Sequence, residues 1–183
     1  ANTTTATAQI TPKAMTISGI TAANKVYDGS TNATVNVGGA QYGGLVGLDE
    51  VNVLASGVFV DKNVGVQSVT LTSQYTGADI GNYTITDQAT TNANITPKSL
   101  SMSGLTVAAS KVYDQGTQAV VTGTPALITA EAVGSGSTAD GTPYVGDTVS
   151  FSGVPIGTYN SPNVLTASQV SYSGLSLTGA QAG

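Results

Sequence analysis

Two stretches of the chain repeat the same run of residues, about one small domain apart. KVYDGST begins at Lys25 and returns as KVYDQGT at Lys111, while ITPKAMTISGIT at Ile10 returns as ITPKSLSMSGLT at Ile95. Self-similarity at such a period predicts a fold built from repeated units, each with its own small core. Two further pairs of segments match in the same order: 48–57 with 146–153, and 75–81 with 177–183.

The positions of these repeats predict how the chain is divided. We expect an end strand of a preceding repeat at 1–12, a first repeat at 13–97, and a second, divergent repeat at 98–183 that lacks its last strand. The opening ANTTTATAQITPK resembles the end of the first repeat, which indicates a segment cut from a longer array. The second repeat also carries a longer segment at 123–144, whose Gly-, Pro- and Ser-rich composition is typical of a surface loop.

The hydrophobic pattern has a period of two. TNATVNV, EVNVLAS, SVTLTSQY and NYTIT each place apolar residues at every second position, with polar residues between them except at Leu54. Such alternation, rich in Val, Thr and Tyr and broken by Gly and Asn, predicts half-buried antiparallel strands. We therefore expect an all-β chain made of two tandem small antiparallel β-sandwich or β-grasp-like units in an elongated rod.

The ITPK segments predict joints between the repeats. Ile95 and Leu100 have opposite parity, so a single flat strand cannot bury both. Pro12 and Pro97 lack a backbone donor, which restricts them to an edge or a bulge. We expect the chain to break at these prolines, with the neighbouring lysine as a solvated charge.

The KVYD runs predict a structural motif. Asp28-Gly29 is typical of a tight turn, because glycine accepts positive φ and aspartate caps the turn. Tyr27 and Tyr113 are expected to anchor the two small cores, with each hydroxyl reaching a polar partner. The residues assigned to the motif are Lys25, Tyr27, Asp28 and Gly29 in the first copy and Lys111, Tyr113, Asp114 and Gly116 in the second.

Composition narrows the function. Five lysines stand against ten carboxylates, for a net charge of −5, and the chain has no Arg, His, Cys or Trp. Nucleic-acid binding needs clustered cations, so we expect no nucleic-acid partner, and no apolar run is long enough for membrane insertion. Without histidine or cysteine, and without an activated nucleophile motif, we expect neither an enzyme nor a cofactor.

Two sites compete with the structural interpretation of the KVYD runs. Asp28, Ser30 and Asn32 follow the spacing that opens a calcium loop, but Ala33 stands where its glycine belongs, so we expect no metal. Lys25 and Lys111 recur at matching positions, as lysines of intramolecular isopeptide bonds do in some surface fibres. We favour the simpler interpretation that they are exposed lysines guarding a strand edge.

Taken together, the motifs resemble the YDG repeats of very large exported bacterial adhesins of the filamentous-haemagglutinin, two-partner-secretion type. The resemblance rests on ITPK-x-L-x-x-SG, K-V-Y-D-G-[ST]-T, a G-D-x-V strand and T-G-A-D-x-x-NY. It implies a β-rich stalk module at the bacterial cell surface or secreted, which supports attachment or biofilm formation. The partners it implies are neighbouring repeats of the parent protein, with head-to-tail self-association as a further expectation.

A second function fits the same residues. Polar side chains and eight tyrosines could form a shallow sugar-binding face. In that case the chain is a carbohydrate-binding module, with the inserted loop 123–144 as its recognition element.

Overall fold

The computed structural model describes residues 4–182, and nearly all of its regular structure is β-strand. The chain forms two compact units, one from Ala1–Lys25 with Thr31–Thr96 and the other from Val26–Ser30 with Pro97–Gly183. The prediction of a mainly β chain is therefore confirmed. Each unit is described by itself below.

Within its described residues, the first unit contains ten strands and one short 3-10 helix, Ile80–Asn82. The strands are β1 (Lys13–Ser18), β2 (Thr21–Ala22), β3 (Lys25–Val26), β4 (Asn32–Ala33), β5 (Val35–Asn36), β6 (Gln41–Gly43), β7 (Asn52–Phe59), β8 (Gly65–Thr76), β9 (Tyr83–Thr86) and β10 (Thr90–Thr96). They form a five-stranded sheet in the order β3-β10-β8-β7-β4, a three-stranded sheet β6-β1-β9 and a two-stranded pair β2-β5.

The first unit combines antiparallel and parallel strand pairing. β7, β8 and β10 pair antiparallel, whereas β1 pairs parallel with β9, placing Lys13 opposite Tyr83. Parallel neighbours need a long connection between them, and nearly the whole unit separates β1 from β9. Sequence alternation predicts strands but not which strands meet, which is why this pair was not foreseen.

The Asp28-Gly29 turn lies between two strands that do not pair with each other. β3 pairs with β10 and β4 pairs with β7, at opposite edges of the five-stranded sheet. The residues between β3 and β4 can span about 20 Å at most. The Lys25 ammonium donates to the Asn32 carbonyl at 3.1 Å, so the two edges curl towards each other.

The core of the first unit follows the predicted alternation. In β7 and β8, Val53, Val69 and Leu71 are buried, whereas Leu54 is exposed. Strands that bury alternate residues present one apolar face, and these faces enclose the core. The buried apolar side chains of this unit are Met15, Ile17, Ile20, Val51, Val53, Phe59, Val69, Leu71, Tyr83, Ala93 and Ile95.

The second unit has fewer and less buried strands. They are β11 (Met102–Val107), β12 (Gln118–Ala119), β13 (Val121–Leu127), β14 (Ser150–Tyr159) and β15 (Val170–Thr178). β11 pairs with β13, and β12-β14-β15 form a three-stranded sheet. Among residues 4–182, the buried apolar side chains assigned to this unit are Tyr27, Ala119 and Tyr144.

The predicted joints and end strand have different outcomes. β10 ends at Thr96, just before Pro97, and no strand resumes until Met102. Residues 4–12 contain no strand and Ile10 is exposed, so the strand expected within 1–12 does not form there; residues 1–3 lie outside the described part. Pro12 immediately precedes β1, which starts at Lys13.

Candidate functional site: two tyrosine loops and a lysine cluster

The Tyr27 loop (Val26–Ser30) is part of the second compact unit. The Tyr27 side chain is buried, and its hydroxyl donates to Asp147 Oδ1 at 2.6 Å. Its ring lies 5.9 Å from the Tyr144 ring at a tilt of 59°, within the range of favourable aromatic pairs. The tyrosine thus combines apolar burial with a hydrogen bond to a charged group.

Local chemistry fixes the shape of this loop. Asp28 Oδ1 accepts from both the backbone N–H and the hydroxyl of Ser30, at 2.9 and 3.0 Å, which is an Asx turn. Gly29 has φ +74°, and a Cβ there would lie 3.0 Å from Val133 Cγ2. The backbone angle therefore favours glycine, and any Cβ would also have to displace the Val133 side chain slightly.

The residues that have the spacing of a calcium loop, Asp28, Ser30 and Asn32, are used in this turn and in the strand after it. One oxygen of Asp28 caps Ser30, and Asn32 lies in β4. Across residues 4–182, no group of three or more carboxylates is placed to hold a metal ion.

The Tyr113 loop (111–116) carries its own network. The Lys111 ammonium lies 2.8 Å from Asp114 Oδ1, which also accepts from the Gly116 N–H at 2.9 Å. The hydrogen bond from Lys111 holds the pKa of Asp114 below its ordinary value, helped by the Gly116 N–H. Gln115, the extra residue of this copy, takes φ 64°, a left-handed conformation that a one-residue insertion has here imposed on a non-glycine residue.

Tyr113 does not anchor a core. Its side chain is 55 % exposed, whereas Tyr27 is 7 % exposed. The expectation of two equivalent core anchors is therefore wrong for Tyr113. Identical local sequence did not fix burial, because burial depends on which distant residues cover the ring.

The lysine of each KVYD run has the same role in both loops. Lys25 donates to the carbonyl of Asn32, and Lys111 donates to the carbonyl of Gln118, each seven residues further on. Each ammonium also lies over an aromatic ring, Phe59 at 5.2 Å and Tyr159 at 5.7 Å, in reach of a cation–π contact. These lysines tie together the two ends of their loops.

An equivalent backbone hydrogen bond holds the residue that follows each loop. The Phe59 N–H donates to the Thr31 carbonyl at 2.8 Å, and the Tyr159 N–H donates to the Thr117 carbonyl at 2.7 Å. The sequence repeat is thus a repeat of contacts, and it agrees with a comparison against protein families, in which the YDG domain matches residues 11–92 and 96–183. The chain belongs to the YDG domain family. No protein of curated function and no solved structure matches it.

The ITPK lysine of the second YDG domain is buried, which corrects the expectation of a solvated charge. The Lys98 side chain is 2 % exposed, and its ammonium lies 2.8 Å from Glu131 Oε1 and 2.9 Å from Asp140 Oδ1. The ring of Tyr144, itself buried, is 4.1 Å from the same nitrogen. We call Lys98, Glu131, Asp140 and Tyr144 the Lys98 cluster. In the first YDG domain the matching Lys13 is exposed.

The electrostatics of the Lys98 cluster favour the ion pair. Burial opposes the ammonium, but hydrogen bonds to Glu131 and Asp140 outweigh it and hold the pKa of Lys98 above its ordinary value. The Lys98 hydrogen bond, with the N–H groups of Thr142 and Ser137, holds the pKa of Asp140 well below its usual range. A buried lysine needs such compensation.

Backbone pairing holds both carboxylates in place. The Ser101 N–H donates to the Gly141 carbonyl at 2.8 Å, next to Asp140. Glu131 pairs with Tyr144 in a parallel bridge, and its N–H donates to the Pro143 carbonyl at 2.9 Å. The inserted segment of the second YDG domain is therefore anchored at the cluster.

A cleft of about 260 Å³ lies beside the Tyr113 loop. Its lining includes Lys111, Tyr113, Tyr159 and Asn163. None of its lining residues falls within 123–144, the segment expected to recognise a sugar.

Within residues 4–182, no helix of this YDG chain is long and apolar enough to cross a membrane.

Proposed function

We propose that the chain is a structural stalk or spacer segment of a large bacterial surface adhesin, and that it supports attachment or biofilm formation from outside the cell. The observation that carries the proposal is tandem repetition. Two YDG domains follow each other with only residues 93–95 between their matches. A repeated module that carries no recognisable catalytic set suits a role in extending a protein.

The mechanism is geometric. Repeated units hold a binding tip away from the cell, and neighbouring repeats of the parent protein are the natural partners. Only 8 % of the residues are charged, so the polar side chains are mostly uncharged ones such as Thr, Ser, Asn and Gln. Such a surface gives little electrostatic selection of partners, as a spacer requires.

Domain replacement in the parent protein tests this proposal. Residues 11–183 would be replaced by unrelated β-domains of equal length, and surface attachment of the cells would be measured beside a plain deletion. A spacer predicts that replacement restores the attachment that deletion removes. If the length-matched replacement adheres no better than the deletion, the spacer function is wrong.

Head-to-tail association has a separate test. Sedimentation of the purified chain over a concentration series should show growth beyond the monomer if one copy completes another. A strictly monomeric chain at high concentration would remove this part of the proposal and leave the spacer role intact.

Carbohydrate binding is the second candidate, and the Tyr113 cleft is the observation that favours it. An exposed tyrosine beside Asn163 and Lys111 offers a ring face and hydrogen-bonding groups for a sugar. Glycan binding by the purified chain should disappear in Tyr113→Ala and persist in Tyr172→Ala, a partly exposed tyrosine that does not line the cleft. Equal loss in both variants, or no binding at all, would exclude the cleft as the sugar site.

A further inference from the structure

The Lys98 cluster has the parts of an amide-forming site. The amine nitrogen of Lys98 lies within 2.9 Å of two carboxylates, those of Glu131 and Asp140. The site thus holds an amine, a carboxyl group with which it can react and a second carboxylate. We propose that Lys98 and Asp140 become joined by an intramolecular isopeptide bond, with Glu131 as the proton carrier. This proposal is independent of the spacer function.

The distances suit attack by the amine on the carboxyl group. Lys98 Nζ lies 2.9 Å from Asp140 Oδ1, and the carboxyl carbon is one bond further. Reacting groups held near 3–3.5 Å gain most of the advantage of an intramolecular reaction. Glu131 Oε1, 2.8 Å from the same nitrogen, is within reach of the proton that must leave it.

The reaction balances without a further reactant. Glu131 takes a proton from the Lys98 ammonium, and the free amine forms a bond to Asp140 Cγ. A second proton leaves nitrogen as the tetrahedral intermediate collapses, and the two protons depart with one Asp140 oxygen as water. The ammonium and the carboxylate thus become an amide and one water, and Glu131 ends as it began.

The second carboxylate is placed to deliver protons to the departing oxygen. A Cβ built on Gly136 would overlap Glu131 Oε2 and lie 2.8 Å from Asp140 Oδ2, so both oxygens border the same small space. Only glycine, with φ +69°, leaves this space open.

Backbone donors point at the carboxyl group that would react. Asp140 Oδ1 accepts from the Thr142 N–H at 2.9 Å, and Oδ2 accepts from the Ser137 N–H at 2.9 Å. Such preorganised donors stabilise the negative charge that grows on oxygen in the tetrahedral intermediate. The same contacts favour the ion pair before reaction, so we expect a slow, single-turnover reaction that completes after folding.

The surroundings distinguish Lys98 from Lys111, which also lies close to an aspartate. Lys111 and Asp114 are 2.8 Å apart, but their side chains are 26 % and 63 % exposed. The Lys98 side chain is 2 % exposed and lies against the buried Tyr144 ring. Exclusion of water strengthens the interactions that drive the chemistry and protects the developing charges.

The fold also gives such a bond a purpose. The second unit buries few apolar side chains, and small units with thin cores are commonly stabilised by a covalent or metal staple. The chain has no cysteine. A Lys98–Asp140 amide would close a loop across the inserted segment and constrain the unfolded chain, as a disulfide does.

Intact mass spectrometry of the purified full chain, denatured after incubation at neutral pH, tests the proposal. We expect a mass one water below that of the sequence. Trypsin requires a free lysine, so cleavage after Lys98 should be lost and residues 63–111 should remain linked to 112–183. A full sequence mass would overturn the proposal.

Variants separate this bond from other ways of losing water. Glu131→Gln keeps a hydrogen-bond acceptor for Lys98 but cannot carry the proton, so it should show the full sequence mass, as should Lys98→Arg. Lys111→Arg, the matched control, should still lose water. Asp140-Gly141 could instead dehydrate to a succinimide, so water loss with normal cleavage after Lys98 would also overturn the proposal.

Discussion

The two units come from repeated sequence but are stabilised in different ways. The first encloses a core of aliphatic and aromatic side chains between its sheets, with Met15, Phe59, Val69 and Ile95 almost fully buried. In the second, Tyr144 packs beside the Lys98 ammonium and its two carboxylates. Apolar burial gains stability in proportion to area, whereas a buried ion cluster depends on complete pairing. A repeat can therefore keep its motif while exchanging one kind of stabilisation for the other.

The two phenylalanines give the largest expected contrast between the units. Phe59 is 2 % exposed, whereas Phe151 in β14 is only half-buried. Phe59→Ala should lower the unfolding free energy of the first unit by about 3–5 kcal/mol, because it leaves a cavity in a closed core. Urea denaturation followed by circular dichroism measures this change. A loss from Phe151→Ala as large as that from Phe59→Ala would contradict the difference between the cores.

The two motif tyrosines test whether the two loops differ in how much their tyrosine contributes to stability. Tyr27→Phe removes the hydrogen bond to Asp147 and should cost about 1–2 kcal/mol of stability, since the carboxylate loses its phenol partner. Tyr113→Phe, at an exposed position, should change stability by no more than about 0.5 kcal/mol. Thermal or urea unfolding of the two variants measures both stability changes. Equal effects would mean that the two loops are equivalent after all.

Glycine substitutions sharpen the same contrast at the backbone. Gly29 has φ +74° and faces Val133, so Gly29→Ala should cost about 1–2 kcal/mol. Gly116 has no positive φ, and a Cβ there would meet the Asp114 carboxylate, with Oδ1 nearest at 3.3 Å. Gly116→Ala should therefore be close to neutral in the same unfolding assay. A neutral Gly29→Ala would show that the Tyr27 loop adapts to a side chain.

The smallest expected effect concerns the hydroxyl of Tyr83 in the first unit. The Tyr83 hydroxyl donates to Asp49 Oδ2 at 2.6 Å, and this hydrogen bond raises the pKa of Tyr83. A raised pKa favours the neutral phenol in the fold, so its stabilisation is complete below the ordinary tyrosine pKa and is lost as pH rises through the higher folded value. Alkaline titration by ultraviolet absorbance, comparing the chain with Tyr83→Phe, should show this tyrosine ionising late. Ionisation at or below the ordinary pKa would contradict the contact.

Much of the first unit could be predicted from local pattern. The alternation in EVNVLAS and SVTLTSQY placed Val53, Val69 and Leu71 on the buried face, where the structure has them. Period-two patterning follows from strand geometry alone, so it needs no knowledge of partners. The recurring KVYD runs likewise indicated a shared local role, and the lysine contacts of both loops repeat at the same spacing.

Partner choice could not be predicted in this way. Asp28-Gly29 has the local chemistry of a hairpin turn, but the flanking strands pair elsewhere, because strand pairing is decided by the whole sheet. Tyr27 and Tyr113 share their neighbours in sequence and differ in burial. The covering residues of Tyr27, such as Tyr144 and Asp147, lie far along the chain.

The Lys98 cluster marks the same boundary between sequence and structure. The sequence by itself determined the repeat, the strand-rich pattern and the break at Pro97, because these depend on residues close together in the chain. Only the tertiary structure decided that Lys98 is buried while Lys13 is exposed. Glu131 and Asp140 lie in the insertion that the first repeat lacks, and a charged side chain can be buried only where folding brings such partners to it.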